Sequence, residues 1–281
     1  MTALTGLTAS FTAEVLKLRK RPATWALGAL LAAAIVLLRY VLVYVISRQA
    51  PGPGVSAQEI AMLKEALLPR SVVPMTLNIL PGIGGAIALI LGALVTGSEY
   101  GWTTLKTILT QRPGRLGVLG GKVLAVGGVL VLYVALSFAA SLAASLVLAG
   151  VTGGAATLPG VAEIARGLGA AWLVLAAWAA LGMLLATAFR GTALAIGLGL
   201  IYSLVVEGII ATLAGGVSWL ATLRKGLPGA NAGALVDAFP LPGPGAASAL
   251  VGPTHAGLVL AAYVAAGVAL AALLFRRRDV A

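Results

Sequence analysis

The 281-residue chain is 60% hydrophobic and only 10% charged, whereas a soluble domain carries about 25% charged residues. A chain this apolar is expected to fold in lipid, so its net charge of +11 indicates basic residues beside membrane spans rather than a nucleic-acid surface. Cysteine is absent, which excludes disulfides and cysteine-ligated metals.

Long apolar runs predict the fold class. Lipid offers no water to unpaired backbone groups, so only helices or closed barrels can span it. Barrel strands would alternate apolar and polar residues over about 10 positions, and the runs here are unbroken. We therefore expect an all-α polytopic protein, a single transmembrane domain over residues 1–281, with the lipid bilayer as its surroundings.

An interfacial helix is predicted near the N-terminus, within residues 1–23. Its charged face consists of Glu14, Lys17, Lys20 and Arg21, and its apolar stripe consists of Leu7, Phe11, Val15 and Leu18. A helix of this kind rests in the plane of the lipid headgroups, and Pro22 ends it. The first span follows. It is too long for a signal-peptide core and lacks a small-residue cleavage site, so we expect it to be retained.

Six spans are predicted, at residues 24–46, 74–96, 122–147, 163–189, 192–213 and 255–275. Ser56 and Glu59 form a capping-box pattern that predicts a short helix between the first two spans. Pro81 and its neighbouring glycines predict a kink or a close helix approach in the second span. Residues 215–254 are rich in glycine and proline. They are expected to form an outer re-entrant segment, with a short helix at Ser218–Lys225 and an apolar stretch at residues 246–251.

The distribution of basic residues predicts the topology. An even number of spans places both termini on one side, and basic residues favour the cytoplasmic side. That side carries twelve lysines and arginines against six on the other side, which predicts cytoplasmic termini in a cell inner or plasma membrane. The twelve are Lys17, Arg19, Lys20, Arg21, Lys106, Arg112, Arg115, Lys122, Arg190, Arg276, Arg277 and Arg278.

The stretch between the second and third spans is predicted to dock a soluble partner. Residues 98–113 are expected to form a short amphipathic helix that ends at Pro113. Its proposed contact residues are Glu99, Trp102, Leu105, Lys106, Ile108 and Arg112. A helix held beneath a membrane by two spans is accessible from the cytoplasm.

Motifs for catalysis are missing from the sequence. There is no phosphate-binding loop, no dinucleotide fingerprint and no HExxH motif. The single histidine, His255, has no second ligand near it in the sequence, so we expect no metal site. The chain is predicted not to be an enzyme and to bind no cofactor itself.

Arg39 and Glu207 lie inside predicted spans, at similar depth in the outer half. A charge at the bilayer centre costs about 2.5–3.5 kcal/mol on insertion scales. They face the bundle interior, as a pair or along a substrate path, or else Arg39 snorkels outward and Glu207 occupies a wet outer pocket. The sequence leaves both readings open.

Several motifs, in their order, carry a family resemblance. They are Glu14-x-x-Lys17-Leu18-x-Lys20-Arg21, Gly97-x-Glu99-x-x-x-Thr103 after the second span, Arg115 and Lys122, the broken outer segment, and the terminal Phe275-Arg276-Arg277-Arg278-Asp279. With six spans, the chain resembles the permease subunits of ATP-binding-cassette exporters of the type-2 (ABC-2) class. The family usually has Gly-Thr where this chain has Trp102-Thr103.

The resemblance implies two permease copies, expected as a homodimer, above two ATPase subunits that hold ATP and Mg. It implies that residues 98–113 form the coupling helix and that residues 1–23 contain the connecting helix. The segment 215–254 matches the short helices that close the outer mouth. The spans are apolar and have few polar residues, which favours a lipophilic or amphipathic substrate. The alternatives are an ion-coupled secondary transporter and a membrane scaffold that recruits a soluble protein.

Overall fold

The structure is a computed structural model, and it describes residues 3–49, 56–101, 115–239, 241 and 250–277. All regular structure in these ranges is helical, and six helices are long and apolar enough to cross a membrane. Spans 1 to 6 are Pro22–Ser47, Leu80–Glu99, Leu116–Thr152, Val161–Phe189, Thr192–Leu213 and Pro253–Arg276. The expected all-α polytopic fold is confirmed.

Five shorter α-helices accompany the spans in the described part of the chain. They are α1 (Ala3–Lys20), α2 (Ala57–Ala66), α3 (Val72–Leu77), α4 (Ser218–Arg224) and α5 (Pro228–Val236). The predicted capping box at the start of α2 is confirmed, because the backbone N–H of Glu59 donates to Ser56 Oγ at 3.2 Å and that of Ser56 donates to the Glu59 carboxylate at 2.6 Å. We call the end of the bundle that carries α1 the α1 face.

Spans 2 and 4 form the centre of the bundle. In the most apolar stretches of spans 2 and 4, 67% and 61% of the residues are buried, against 17% in spans 1 and 5, so few residues of the latter two are fully covered by protein. The two central helices approach closely at glycines. A Cβ on Gly92 would collide with the carbonyl oxygen of Ala179, and one on Gly182 would collide with that of Leu89. Small residues allow this close packing in lipid.

Span 2 begins later than the sequence predicted. A helix was expected from Pro74, but α3 ends at Leu77 and the span starts at Leu80 with a π-helical segment, Leu80–Gly84. Pro81 has no N–H to donate to a preceding carbonyl, so an uninterrupted α-helix loses a hydrogen bond there. The predicted irregularity at Pro81 is present, and it divides the predicted span into two helices.

Span 3 belongs to a much longer helix than predicted. The helix Arg115–Thr152 has 38 residues and measures about 57 Å at about 1.5 Å per residue, well beyond the ~30 Å hydrocarbon core. The helix is therefore longer than the core is thick, and α1 packs on its first turns at Gly120 and Gly121. In the outer segment, α4 agrees with the predicted helix, α5 was not predicted, and residues 242–249 lie outside the described part of the chain.

Candidate functional site

Helix α1 packs across the start of the span 3 helix. A Cβ on Gly121 would lie 2.7 Å from Ser10 Cβ and 2.8 Å from the Phe11 nitrogen, and one on Gly120 would lie 2.8 Å from a methyl group of Leu7. Because both glycines lack side chains, the backbone of α1 can lie almost directly on span 3. This contact sets the position of the charged side chains of α1.

Four charged residues from three helices form a closed cluster at this crossing, which we call the charge cluster: Glu14 and Lys17 of α1, Glu99 of span 2 and Lys122 of span 3. Lys17 Nζ lies 2.8 Å from Glu14 Oε1 and 2.9 Å from Glu99 Oε1. Lys122 Nζ lies 3.0 Å from Glu14 Oε1 and 2.7 Å from Glu99 Oε1. Each ammonium therefore bridges both carboxylates.

Most of the charge cluster is out of solvent. The side chain of Lys122 is 2% exposed and those of Glu14 and Glu99 are 6% and 7% exposed, whereas Lys17 is 49% exposed. Burial of the ammonium lowers the pKa of Lys17, but its hydrogen bonds to Glu14 and Glu99 outweigh that effect and raise the pKa above its usual value. Removing one member of a buried ion pair is strongly destabilising, because the partner's charge remains desolvated.

Hydrogen bonds from Arg21 also join the end of α1 to span 2. Arg21 Nη1 donates to the carbonyl oxygen of Leu94 at 3.1 Å and to Ser98 Oγ at 3.3 Å. Of the other residues predicted on the interfacial helix, Phe11 is 38% exposed and Lys20 is also exposed. Glu14, Lys17 and Arg21 therefore fix α1 to the spans, while Phe11 and Lys20 face outward.

The predicted coupling helix lies mostly outside the described residues. Trp102, Leu105, Lys106, Ile108 and Arg112 all fall within residues 102–114, which the structure does not describe. Its predicted start does not mark a new helix, because the span 2 helix continues through residues 98–101. What the structure does show is the two ends of this connection. Glu99 lies before it and Lys122 after it, and Glu99 Oε1 is 2.7 Å from Lys122 Nζ.

Arg39 lies in a π-helical part of span 1, Ile35–Val41. Its Nη2 contacts the sulfur of Met75 at 3.6 Å, and Met75 of α3 is 1% exposed. The guanidinium thus lies against the protein at α3. Its Nε is buried without a hydrogen-bond partner among the described residues.

Glu207 follows the π-helical segment Ile201–Val206 of span 5 and is 8% exposed. Its carboxylate lies against the start of α5, because a Cβ on Gly229 would collide with Glu207 Oε2, while Oε1 is buried without a hydrogen-bond partner among the described residues. A carboxylate is favourable at a helix N-terminus. Glu207 therefore holds α5 against span 5. Among the described ion pairs none joins Glu207 to Arg39, so these two charges have separate surroundings.

Sequence reasoning did not include Lys122 among the site residues, although it noted this base beside the predicted docking stretch. The sequence did not show that Lys122 is buried within a longer helix. The predicted span began at Lys122 itself, which placed the side chain at the membrane edge. Gly229 was also missed. His255, treated as structural, lies 3.2 Å from the carbonyl oxygen of Lys225 through Nε2.

Comparison with known families identifies the chain. Residues 10–206 match the family described as ABC-2 family transporter protein. The chain belongs to this ABC-2 family. The match runs from within α1 through the first four spans and ends inside span 5, at the residue before Glu207, and all four members of the charge cluster lie within it. No curated protein matches the sequence. As an ABC-2 family member with six apolar helices, the protein is a multi-pass transport permease of a generally non-catalytic class.

Proposed function

We propose that this ABC-2 protein is the permease subunit of an exporter that moves a lipophilic or amphipathic substrate outward. The energy comes from ATP hydrolysis on a separate ATP-binding-cassette ATPase, which holds ATP and Mg. The chain itself acts as the moving channel and binds no cofactor. Family membership supports the transport role, and the missing phosphate-binding loop supports a separate energy source.

The observation that carries this proposal is the charge cluster. It joins both ends of the span 2–span 3 connection to α1 through Lys122, Glu99 and Glu14. A partner that displaces the connection must therefore move α1 and the two spans with it. Separating the cluster would leave buried charges without their partners, at a cost of about 3–5 kcal/mol. Residues 98–113 then serve as the coupling helix, through Glu99, Trp102, Leu105, Lys106, Ile108 and Arg112.

Two copies of the chain are proposed, above two ATPases, as a homodimer. Spans 1 and 5 are the least buried of the six and offer apolar faces of large residues, including Leu37, Val41 and Leu204. A second copy that packs on these faces would enclose a path between the two. The α1 face is proposed to be cytoplasmic, because the basic residues collect there.

The test compares a leucine of the proposed coupling helix with a leucine of another connection. Leu105 falls in the proposed coupling helix, and Leu158 is 61% exposed in the connection between spans 3 and 4 at the other face. The full chain is purified from its native membrane with a terminal tag, and vanadate-sensitive ATP hydrolysis is measured in the purified complex. We expect Leu105→Asp to abolish the co-purified hydrolysis, because a buried carboxylate would face the apolar partner surface. Leu158→Asp should retain it.

Three results would overturn the proposal. Loss of hydrolysis in Leu158→Asp but not in Leu105→Asp would place the ATPase at the opposite face. Substrate movement by the purified chain in vesicles that contain no ATPase would show that the energy comes from elsewhere, as in an ion-coupled transporter. If the hydrolysis co-purifies but no substrate is ever moved, the scaffold alternative replaces the exporter.

A further inference from the structure

A basic cavity opens at the α1 face, between the ends of spans 2 and 4 and the start of span 5. Its volume is about 490 Å³, and its lining includes Arg21, Ser98, Phe189, Arg190, Thr192 and Leu194. Two guanidinium groups therefore share one cavity, and none of the described residues that line it carries a negative charge. The cavity contains no member of the charge cluster, and Ser98 is the one lining residue that also belongs to the proposed coupling helix.

The two arginines reach the cavity from different elements. Arg21 comes from the junction of α1 with span 1 and is held by Leu94 and Ser98. Arg190 forms the tight turn between spans 4 and 5, and it makes no ion pair with the described residues. Gly97 lets span 2 approach the start of span 5, because a Cβ there would lie 2.9 Å from the backbone nitrogen of Thr192. The unpaired N–H groups at the start of span 5 add partial positive charge.

The rim of the cavity is apolar and uncovered. Phe189 is 44% exposed and Leu194 is 60% exposed. The apolar surface continues along span 5 through Leu198 and Ile201, which are 42% and 52% exposed. The site is thus basic where the headgroups of a membrane lie and apolar along the adjoining hydrocarbon. Basic pockets between transmembrane helices bind anionic lipid headgroups.

We propose that this cavity binds the phosphate of an anionic phospholipid, whose acyl chains lie along Leu194, Leu198 and Ile201 of span 5. Arginine suits this role because its planar fork donates two parallel hydrogen bonds to a phosphate. A lipid in this position would join Arg21 at the start of span 1 to Arg190 at the start of span 5. The assignment is independent of the proposed ATPase partner.

The backbone at Arg190 allows a decisive variant. Arg190 has φ 53°, a left-handed conformation that favours glycine. Arg190→Gly therefore removes the guanidinium and relieves the backbone at the same time. A purely structural role for Arg190 predicts that this variant is as stable as wild type with unchanged lipid binding. The lipid site predicts unchanged or higher stability together with weaker binding.

The experiment measures lipid binding to the purified full-length chain by native mass spectrometry, with phosphatidylglycerol and phosphatidylcholine as probes. We expect wild type to prefer phosphatidylglycerol, and Arg190→Gly to weaken its binding about five- to tenfold without lowering the melting temperature. Arg190→Lys, which keeps the charge but not the fork, should fall between them. Arg19→Gln is the matched control, since Arg19 is exposed on the same face and does not line the cavity.

Three outcomes would overturn the assignment. Binding of phosphatidylglycerol to Arg190→Gly as tight as to wild type would exclude the guanidinium as a ligand. Displacement of the lipid by millimolar inorganic phosphate would indicate a free-anion site. Loss of ATPase association in Arg190→Gly with unchanged lipid binding would assign the cavity to the protein partner instead.

Discussion

Replacing Lys122 by methionine removes the most buried cation of the charge cluster while keeping an unbranched side chain of similar length. Lys122 is 2% exposed on its side chain and bridges Glu14 and Glu99 at 3.0 and 2.7 Å. Without it, both carboxylates depend on Lys17, which is 49% exposed and shares its charge between them. The variant therefore leaves one uncompensated negative charge in a buried site.

The magnitude follows from the geometry. Two carboxylate oxygens held by one ammonium lie about 5 Å apart, and at an effective dielectric constant of about 20 their repulsion is about 3 kcal/mol. Truncating one partner of a buried ion pair costs about 3–5 kcal/mol in measured cases. We expect Lys122→Met to lose at least about 3 kcal/mol. That loss lowers the melting temperature by about 6–12 °C, at about 2–4 °C per kcal/mol.

Thermal unfolding of the full-length chain in one detergent checks this expectation. Lys64→Met is the control, because Lys64 is exposed on α2 and outside the cluster. Its free energy of unfolding should lie within about 0.5 kcal/mol of that of wild type. The double variant Glu14→Gln, Lys122→Met keeps the opposite charges of Lys17 and Glu99 at 2.9 Å. It should be more stable than the sum of the two single variants by about 1–3 kcal/mol. A Lys122→Met protein that melts like Lys64→Met, or strictly additive single variants, would refute the cluster as a buried, coupled unit.

Three further expectations follow from close contacts and titration. Gly229→Ala should loosen the segment 215–254, since a Cβ there collides with the Glu207 carboxylate. Gly233→Ala on the same helix meets no atom within 4 Å and should be neutral or stabilising. Limited proteolysis of residues 215–254 distinguishes the two variants. Gly92→Ala should cost about 1–3 kcal/mol because its Cβ meets the Ala179 backbone, while Gly128→Ala, which meets nothing within 4 Å, should not lower the melting temperature. The pKa of Lys17 is raised, so its contribution is fully present below its ordinary pKa of about 10.4 and is lost only as the pH rises through the higher folded value. The melting-temperature difference between wild type and Lys17→Met should therefore be constant from about pH 6 to pH 9, and a steady decline across that range would contradict it.

The spans were predictable because lipid imposes one simple requirement on the backbone, and unbroken apolar runs satisfy it. The ends were less predictable. Pro81 interrupts the predicted second span, so that span 2 starts only at Leu80, and the span 3 helix already includes Arg115, ahead of its predicted start at Lys122. Helix α5 could not be read from its sequence. It contains Gly229 and Gly233, which are poor helix formers, and Glu207 supplies its N-terminal partner from a distant span.

The charge cluster shows a similar division. The charges of α1 and Glu99 were visible as candidates because they are rare in so apolar a chain. Their partnership with Lys122 depends on the crossing of α1 over Gly120 and Gly121, a tertiary contact that no local pattern encodes. The contacts of Arg39 and Glu207 depend equally on helices far away in sequence.

The 38-residue helix Arg115–Thr152 gives the protein a lever arm. It is anchored near one end by Lys122 and passes without a break to the opposite face. Rotating this helix by about 5° about Lys122 would move its far end about 4 Å sideways, over a length of about 45 Å at about 1.5 Å per residue. In the proposed transport cycle, a small displacement at the α1 face would therefore reach the opposite face through one continuous helix.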